Sequence, residues 1–193
     1  FYGTKSVTFN IRPAKVKGLK ASGETTKSLK LTWTKDKLVR GYRIYRYDTG
    51  KKNYVLVKTL TDTSYTLTGL SAGADYRYAV SSYVKTADGK LIFSDKTIVD
   101  TFTVPAKVKG LTYSTRSDKN ITLKWNSVNG ATGYSVYRKV SGKYKLVKNV
   151  TGTSYNITGL KAVTTYNFKV VAYKKRGSKK LTGAETTANI MTT

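Results

Sequence analysis

Seven residues of this chain recur without change further along it. The sequence Pro-Ala-Lys-Val-Lys-Gly-Leu occupies residues 13–19 and again residues 105–111, an offset of 92. Aromatic pairs keep an offset of 92 and later of 90: Trp33 and Trp125, Tyr42 and Tyr134, Tyr45 and Tyr137, Tyr65 and Tyr155, Tyr76 and Tyr166. Self-similarity at one period indicates repeated structural units. The sequence therefore predicts two homologous modules, at residues 13–102 and 103–193.

Short alternating segments fill each module, and none has helical periodicity. Leu29, Leu31 and Trp33 alternate with polar residues, and the second module repeats this pattern from Ile121. The other segments with strand character are 42–44, 54–58, 65–67, 76–82 and 91–101, then 134–136, 144–148, 155–157, 166–172 and 181–192. Turn sequences such as Asp48-Thr-Gly50 separate them. Seven short strands in each module predict an all-β fold of two tandem β-sandwiches.

The composition lacks most of the side chains that catalysis uses. The chain has no histidine and no cysteine, so it lacks the commonest general base, any thiolate and any disulfide. Its ten acidic residues are scattered, without the spacing of a calcium loop. We therefore expect a chain that is not an enzyme and that binds no cofactor or metal. No run of 18 apolar residues is present, so we expect no transmembrane segment.

The charge is far from neutral. Thirty-six lysines and arginines against ten acids give a formal net charge of +26. A field of this size attracts polyanions in a salt-dependent way, which makes cell-wall polymers and anionic glycans the candidate external partners. The alternative is that outward lysines keep the chain soluble and monomeric by blocking pairing between sheet edges. The basic residues are dispersed and carry no nucleic-acid motif, so we expect no specific nucleic-acid partner.

The order of the motifs resembles that of fibronectin type III modules. The motifs run Pro-x-x-Val-x-x-Leu, Leu-x-Trp, Gly-Tyr-x-[Ile/Val]-Tyr-Arg, Thr-Ser-Tyr-x-[Leu/Ile]-Thr-Gly-Leu and Tyr-x-[Tyr/Phe]-x-Val, and they cover residues 13–193. The resemblance implies immunoglobulin-like β-sandwiches with Trp33 and Trp125 in the core. It also implies a tyrosine corner, in which the hydroxyls of Tyr76 and Tyr166 hydrogen-bond the backbone near a preceding leucine. The Gly-Tyr-x-x-Tyr-Arg form is similar to variants in surface proteins of Gram-positive bacteria, so we expect an extracellular location, secreted or cell-wall associated.

The first residues fall outside both modules. Residues 1–12 resemble the last strand of a preceding immunoglobulin-like domain. This implies an excerpt from a larger protein, whose other domains are then the partners of the two modules. The four-residue linker Phe102–Pro105 leaves little slack between the modules. These features favour a non-catalytic spacer that presents neighbouring domains.

The alternative function is adhesion through outward side chains. If Tyr42 points into the core, strand alternation places Tyr45 on the opposite face. The same alternation predicts an outward Tyr83, and Tyr137 and Tyr173 are the equivalent residues of the second module. Each module is thus predicted to expose two neighbouring tyrosines, which either stack on sugar rings or brace the sheet by cross-strand contact. The densest basic run, in a predicted loop, is the predicted polyanion contact: Lys174, Lys175, Arg176, Lys179 and Lys180.

Overall fold

Strands account for all the regular secondary structure that the computed structural model describes, which covers residues 12–193. The strand predicted at residues 1–12 lies outside the described residues, apart from Arg12. The chain divides into two compact units. One is formed mainly by residues 29–67 and 75–101, and the other by residues 102–193 together with 24–28 and 68–74.

The first module forms two antiparallel sheets. Its strands are β1 (Lys20–Ser22), β2 (Leu29–Thr32), β3 (Gly41–Asp48), β4 (Asn53–Leu60), β5 (Ser64–Leu67), β6 (Asp75–Lys85), β7 (Leu91–Phe93) and β8 (Thr97–Phe102). The smaller sheet has the order β1-β2-β5, and the larger has the order β4-β3-β6-β7 with β8 also paired to β6. The antiparallel pairing is that of a β-sandwich.

The second module repeats this topology. Its strands are β9 (Thr112–Arg116), β10 (Ile121–Lys124), β11 (Gly133–Val140), β12 (Lys143–Val150), β13 (Ser154–Ile157), β14 (Thr165–Arg176), β15 (Lys179–Thr182) and β16 (Thr186–Met191). The smaller sheet has the order β9-β10-β13, and the larger has the order β12-β11-β14-β15 with β16 paired to β14. The predicted fold class, an all-β chain of two tandem β-sandwiches, is confirmed.

Each core is filled from both sheets by the alternating residues. In the second module, Leu123 of the smaller sheet is fully buried, as is Phe168 of the larger one. The tryptophans are buried as predicted and pack edge-on against a tyrosine of the next strand. The ring centroids of Trp33 and Tyr42 lie 5.4 Å apart, and those of Trp125 and Tyr134 lie 5.5 Å apart. Such edge-to-face contacts stabilise by about 0.5–1.5 kcal/mol beyond the area that they bury.

The final strand of each module is interrupted, whereas the sequence pattern predicted one continuous strand, at 91–101 in the first module. Residues 94–96 separate β7 from β8. Ser94 is buried there, where its N–H donates to the carbonyl of Ser82 at 2.9 Å and its Oγ accepts the N–H of Ser82 at 3.0 Å. The side-chain hydrogen bond takes the place of a ladder bond, so the strand breaks without leaving these groups unpaired.

The interruption also lets the first segment of each module pack against the last strand. In the first module, the hydroxyl of Thr97 donates to the carbonyl of Val16 at 2.8 Å. In the second, the hydroxyl of Thr186 donates to the carbonyl of Val108 at 2.7 Å. Val16 and Val108 belong to the repeated heptapeptide and are both buried. Their burial explains why both copies of the heptapeptide have an apolar residue at this position.

The predicted tyrosine corner is present in the second module. The hydroxyl of Tyr166 accepts the backbone N–H of Lys161 at 2.8 Å, one residue beyond Leu160. A phenol on the strand thus hydrogen-bonds the loop that leads into it.

Two core residues of the first module, Trp33 and Tyr78, have a buried polar atom without a hydrogen-bond partner among residues 12–193. Tyr78 is fully buried, and its hydroxyl has no hydrogen-bond partner among residues 12–193. Burial raises the pKa of Tyr78 to about 12, because the phenolate would lose its hydration. The second module has the apolar Phe168 at the equivalent position, which is equally buried.

Tyr78→Phe should therefore stabilise the first module, because it removes a desolvated hydroxyl and keeps the ring. We expect the free energy of unfolding to rise by about 1 kcal/mol at pH 7 in urea denaturation. In the native protein, stability should fall as pH rises from 10 to about 12, where only the unfolded chain releases the Tyr78 proton. The variant should lose less stability over that range, and a variant that is less stable at pH 7 would contradict this account.

Candidate functional site

The four tyrosines predicted to face outward lie on the outer face of the larger sheets. Tyr45, Tyr83, Tyr137 and Tyr173 are all half-buried rather than fully exposed. The prediction that they form neighbouring pairs is wrong. Tyr45 lies opposite Ala79 in the register, whereas Tyr83 lies opposite Gly41, four residues away along the strand. At about 3.4 Å per residue, this separates the two Cα positions by roughly 14 Å along the sheet.

The second module has the same spacing. Tyr137 lies opposite Lys169, and Tyr173 lies opposite Gly133. The two tyrosines of a module therefore do not form one platform, and each has its own surroundings.

Tyr83 and Tyr173 each cover a glycine on the neighbouring strand. A Cβ atom at Gly41 would lie 2.7 Å from the Tyr83 hydroxyl oxygen, and one at Gly133 would lie 2.5 Å from that of Tyr173. Both distances are too short for any side chain, so the glycines make room for the rings. Aromatic rings that cover a cross-strand glycine reinforce a sheet where it would otherwise be weak. The two tyrosines therefore brace the larger sheets.

A lysine ammonium approaches the ring of the other tyrosine in each module. In the first module, the Nζ of Lys96 lies 4.8 Å from the ring centroid of Tyr45 and 5.8 Å from that of Tyr54. In the second, the Nζ of Lys169 lies 4.6 Å from the ring centroid of Tyr137 and 4.8 Å from that of Tyr144. These distances allow cation–π attraction. We refer to the two arrangements as the lysine cages.

The two cages use lysines from different strands. Lys169 is on β14, and its equivalent in the first module is Ala79 on β6. Lys96 instead comes from the segment between β7 and β8. The Lys169 side chain is only 12% exposed, and its ammonium donates to the Glu185 carboxylate at 2.6 Å. A cation is thus present between the same two tyrosines in both modules, although the residue that supplies it differs.

The structure disperses the basic run that was predicted as a polyanion contact. Lys174 is only 7% exposed, and its ammonium lies 5.7 Å from the ring centroid of Phe102. Lys179 forms an ion pair with the carboxylate of Glu24, which belongs to the same compact unit. These two lysines therefore have partners within the unit, which the sequence could not reveal because Glu24 lies 155 residues away.

Three members of the run are exposed around the turn between β14 and β15: Lys175, Arg176 and Lys180. The ammonium of Lys180 lies 3.9 Å from the ring centroid of Tyr173. We refer to these three residues as the basic turn.

Neither a metal centre nor a membrane span is found in the described chain. Residues 12–193 contain no group of three or more histidine, cysteine, aspartate or glutamate residues arranged to hold a metal ion. No described helix is long and apolar enough to cross a membrane.

Comparison with known proteins identifies the class of module that these sandwiches represent. Residues 14–99 and 106–188 each match the family described as the fibronectin type III domain. The chain belongs to the fibronectin type III family and contains two of its domains in tandem. This family consists of generally non-catalytic modules, although several relatives of this chain are enzymes.

Two bacterial enzymes are among the relatives. The chain is 30% identical over 173 residues to "Chitinase A1" of Niallia circulans, and the match covers 82% of this chain and 23% of that protein. It is 30% identical over 175 residues to "Exoglucanase B" of Cellulomonas fimi, covering 83% of this chain and 15% of that protein. The chain thus spans less than a quarter of either relative.

A solved structure has the same fold. A two-domain fibronectin type III segment of chicken tenascin superimposes with a TM-score of 0.55 over 92% of this chain and 99% of that segment. The sequence identity is 23%, so this likeness concerns the fold alone.

The second lysine cage leads to a stability prediction. Lys169→Ala removes the ammonium from between two tyrosine rings and from the Glu185 carboxylate. We expect this variant to lose about 1–2 kcal/mol of unfolding free energy in urea denaturation. The control is Lys148→Ala on the edge strand β12, where the lysine is exposed and a change within about 0.5 kcal/mol is expected. Equal losses in both variants would show that the cage contributes no specific stability.

Proposed function

We propose that this chain is a non-catalytic spacer that separates and presents other domains of a larger extracellular protein. The observation that carries the proposal is the small share, 23% and 15%, that the chain covers of two much longer bacterial enzymes. A pair of modules that recurs within much longer enzymes is suited to linking their other domains. On this proposal the protein is secreted or attached to the cell wall, and its direct partners are the neighbouring domains of the same polypeptide.

The side-chain contacts within each module support this function. The tryptophan and its tyrosine partner close each core with residues of the module itself. The tyrosines of the lysine cages contact cations of their own module, which occupy space that a stacked sugar would need. These contacts within the module account for the cage tyrosines more simply than stacking of sugar rings, which stays a prediction.

A fusion protein can test the spacer proposal. The chain would be placed between a polysaccharide hydrolase domain and a carbohydrate-binding domain, and compared with a fusion in which the two are joined directly. We expect equal turnover of soluble substrate, because the chain takes no part in the chemistry. Turnover of insoluble substrate should fall to about half or less on direct joining, because the two domains can no longer engage the surface together.

The control is a fusion in which a flexible Gly/Ser linker of equal residue number replaces the chain. It distinguishes the effect of a folded spacer from the effect of linker length alone. If the directly joined fusion works as well as the full one on the insoluble substrate, the spacer proposal fails. If soluble-substrate turnover depends on the chain, the non-catalytic assignment fails.

A second candidate function is adhesion to anionic polymers, such as cell-wall polymers or anionic glycans. The net charge of +26 and the exposed basic turn favour it. Lysine and arginine near a polyanion release its counterions, and the binding energy gained in this way weakens as salt increases. This function is compatible with spacing, because a spacer close to a charged surface could also adhere to it.

Binding of dextran sulfate at physiological salt would test adhesion, with uncharged dextran as the control for the sugar backbone. Lys175→Gln with Arg176→Gln should weaken binding by about fivefold if the basic turn contributes. The charge-matched control is Lys143→Gln with Lys148→Gln on β12, where both lysines are exposed and less than a twofold loss is expected. Binding seen only at low salt would reject the adhesive function and leave the spacer proposal intact.

A further inference from the structure

The first module has two neighbouring hollows with cationic walls. One has a volume of about 420 Å³ and is lined by the segment 14–17, the loop 34–37, Tyr42 and Ser82. The other has a volume of about 380 Å³ and is lined by residues 37–40 and 84–86. Lys37 lines both hollows, so they adjoin each other along one loop.

Six basic side chains line the two hollows: Lys15, Lys17, Lys35, Lys37, Arg40 and Lys85. Among residues 12–193 the only acid lining them is Asp36, and one oxygen of its carboxylate accepts the backbone N–H of Leu38 at 2.9 Å. The carboxylate thus stabilises the turn of the loop, and the walls carry a strong excess of positive charge. We refer to the two hollows and these six residues as the cationic track.

Hydrogen bonds to backbone carbonyls hold both walls of the first hollow in place. The N–H of Thr34 donates to the carbonyl of Lys17 at 2.9 Å, which ties the loop to the first segment of the module. That segment is fixed in turn by the hydroxyl of Ser82, which donates to the carbonyl of Ala14 at 3.0 Å. The lysines therefore project from anchored backbone, which lowers the entropy that is lost when they bind a ligand.

The loop is also fixed at its middle and at its end. The N–H of Asp36 donates to the hydroxyl of Tyr42 at 2.9 Å, and the N–H of Arg40 donates to the carbonyl of Tyr83 at 2.8 Å. Tyr42 is itself almost fully buried, so its hydroxyl anchors the loop from inside the module.

The second module lacks the loop residues that make the track. Lys35, Asp36 and Lys37 correspond to Ser127, Val128 and Asn129, while the surrounding strands correspond closely. Val128 still donates its N–H to the hydroxyl of Tyr134 at 2.8 Å, so the anchor of the loop is common to both modules. The added positive charge therefore distinguishes the first loop without being needed for the fold.

We propose that the cationic track binds an extended polyanion bearing phosphate or sulfate groups. Two adjoining hollows that share one lysine suit a polymer with successive charges better than a single small anion. Five of the six basic residues are lysines, whose compact ammonium groups bind a tetrahedral oxyanion without the planar geometry that arginine imposes. The inference rests on the adhesive function and assigns to it a site in the first module, distinct from the basic turn.

The test measures binding of fluorescent long-chain polyphosphate and of dextran sulfate to the full chain at physiological salt, by anisotropy. Lys35→Gln with Lys37→Gln should weaken binding by about tenfold and reduce the salt dependence by about two released counterions. The charge-matched control is Lys20→Gln with Lys30→Gln, two exposed lysines on β1 and β2 of the same module, and it should lose less than about twofold. Asp36→Asn keeps the oxygen that accepts the Leu38 N–H and removes the negative charge, so it should tighten binding.

Each result bears on the track. Equal losses in the track and control variants would overturn it and leave adhesion by overall charge. Orthophosphate that competes as strongly per phosphate as polyphosphate would overturn the polymer requirement. Absence of binding to either polymer would overturn the track together with the adhesive function. A preference for one polymer would identify phosphate or sulfate as the group recognised, and thermal melting of all variants would exclude loss of fold as the cause.

Discussion

The contact between a tryptophan and a tyrosine in each module is the interaction on which the rest of its structure depends. Trp33 and Trp125 follow the central strand of the smaller sheet, and each packs edge-on against a tyrosine on the larger sheet. The hydroxyl of each of those tyrosines accepts a backbone N–H from the loop that joins the tryptophan to the tyrosine. One aromatic pair therefore joins the two sheets and fixes the loop that carries the cationic track in the first module. A change that displaced this pair would affect both the core and the surface.

The outer faces of the larger sheets show how two copies of a fold meet one physical requirement in different ways. The tyrosines of the cages have an electron-rich face that favours a cation. The second module supplies the cation from β14 with Lys169, whereas the first has Ala79 at that position and uses Lys96 instead. The ammonium lies at a similar distance from the tyrosine rings in both modules, although the lysine that supplies it is at a different position in the chain. The ammonium groups of Lys96 and Lys169 are thus engaged within their own modules.

The fold could be predicted almost entirely from the sequence, because its signals are local or repeated. Alternation around Leu29 and Leu31, turn sequences and the duplicated heptapeptide each depend on residues close together in the chain. The break in each final strand was missed, because it depends on hydrogen bonds between Ser94 and Ser82 and on packing of the first segment. The candidate site was less predictable. The outward face of Tyr45 follows from alternation, but its distance from Tyr83 depends on the register between two strands.

The sequence by itself determined the number of modules, their fold, the buried tryptophans and the net charge. Periodicity reports directly on which residues are buried, and composition reports directly on the net charge. Only the tertiary structure decided which charges are available to a partner. Lys174 is buried, Lys169 is held between aromatic rings, and the lysines of the first loop line adjoining hollows with Lys15 and Lys17. These differences arise from contacts between residues far apart in the chain. The same type of side chain occurs in all three settings, and its neighbours in space determine whether it can reach a ligand.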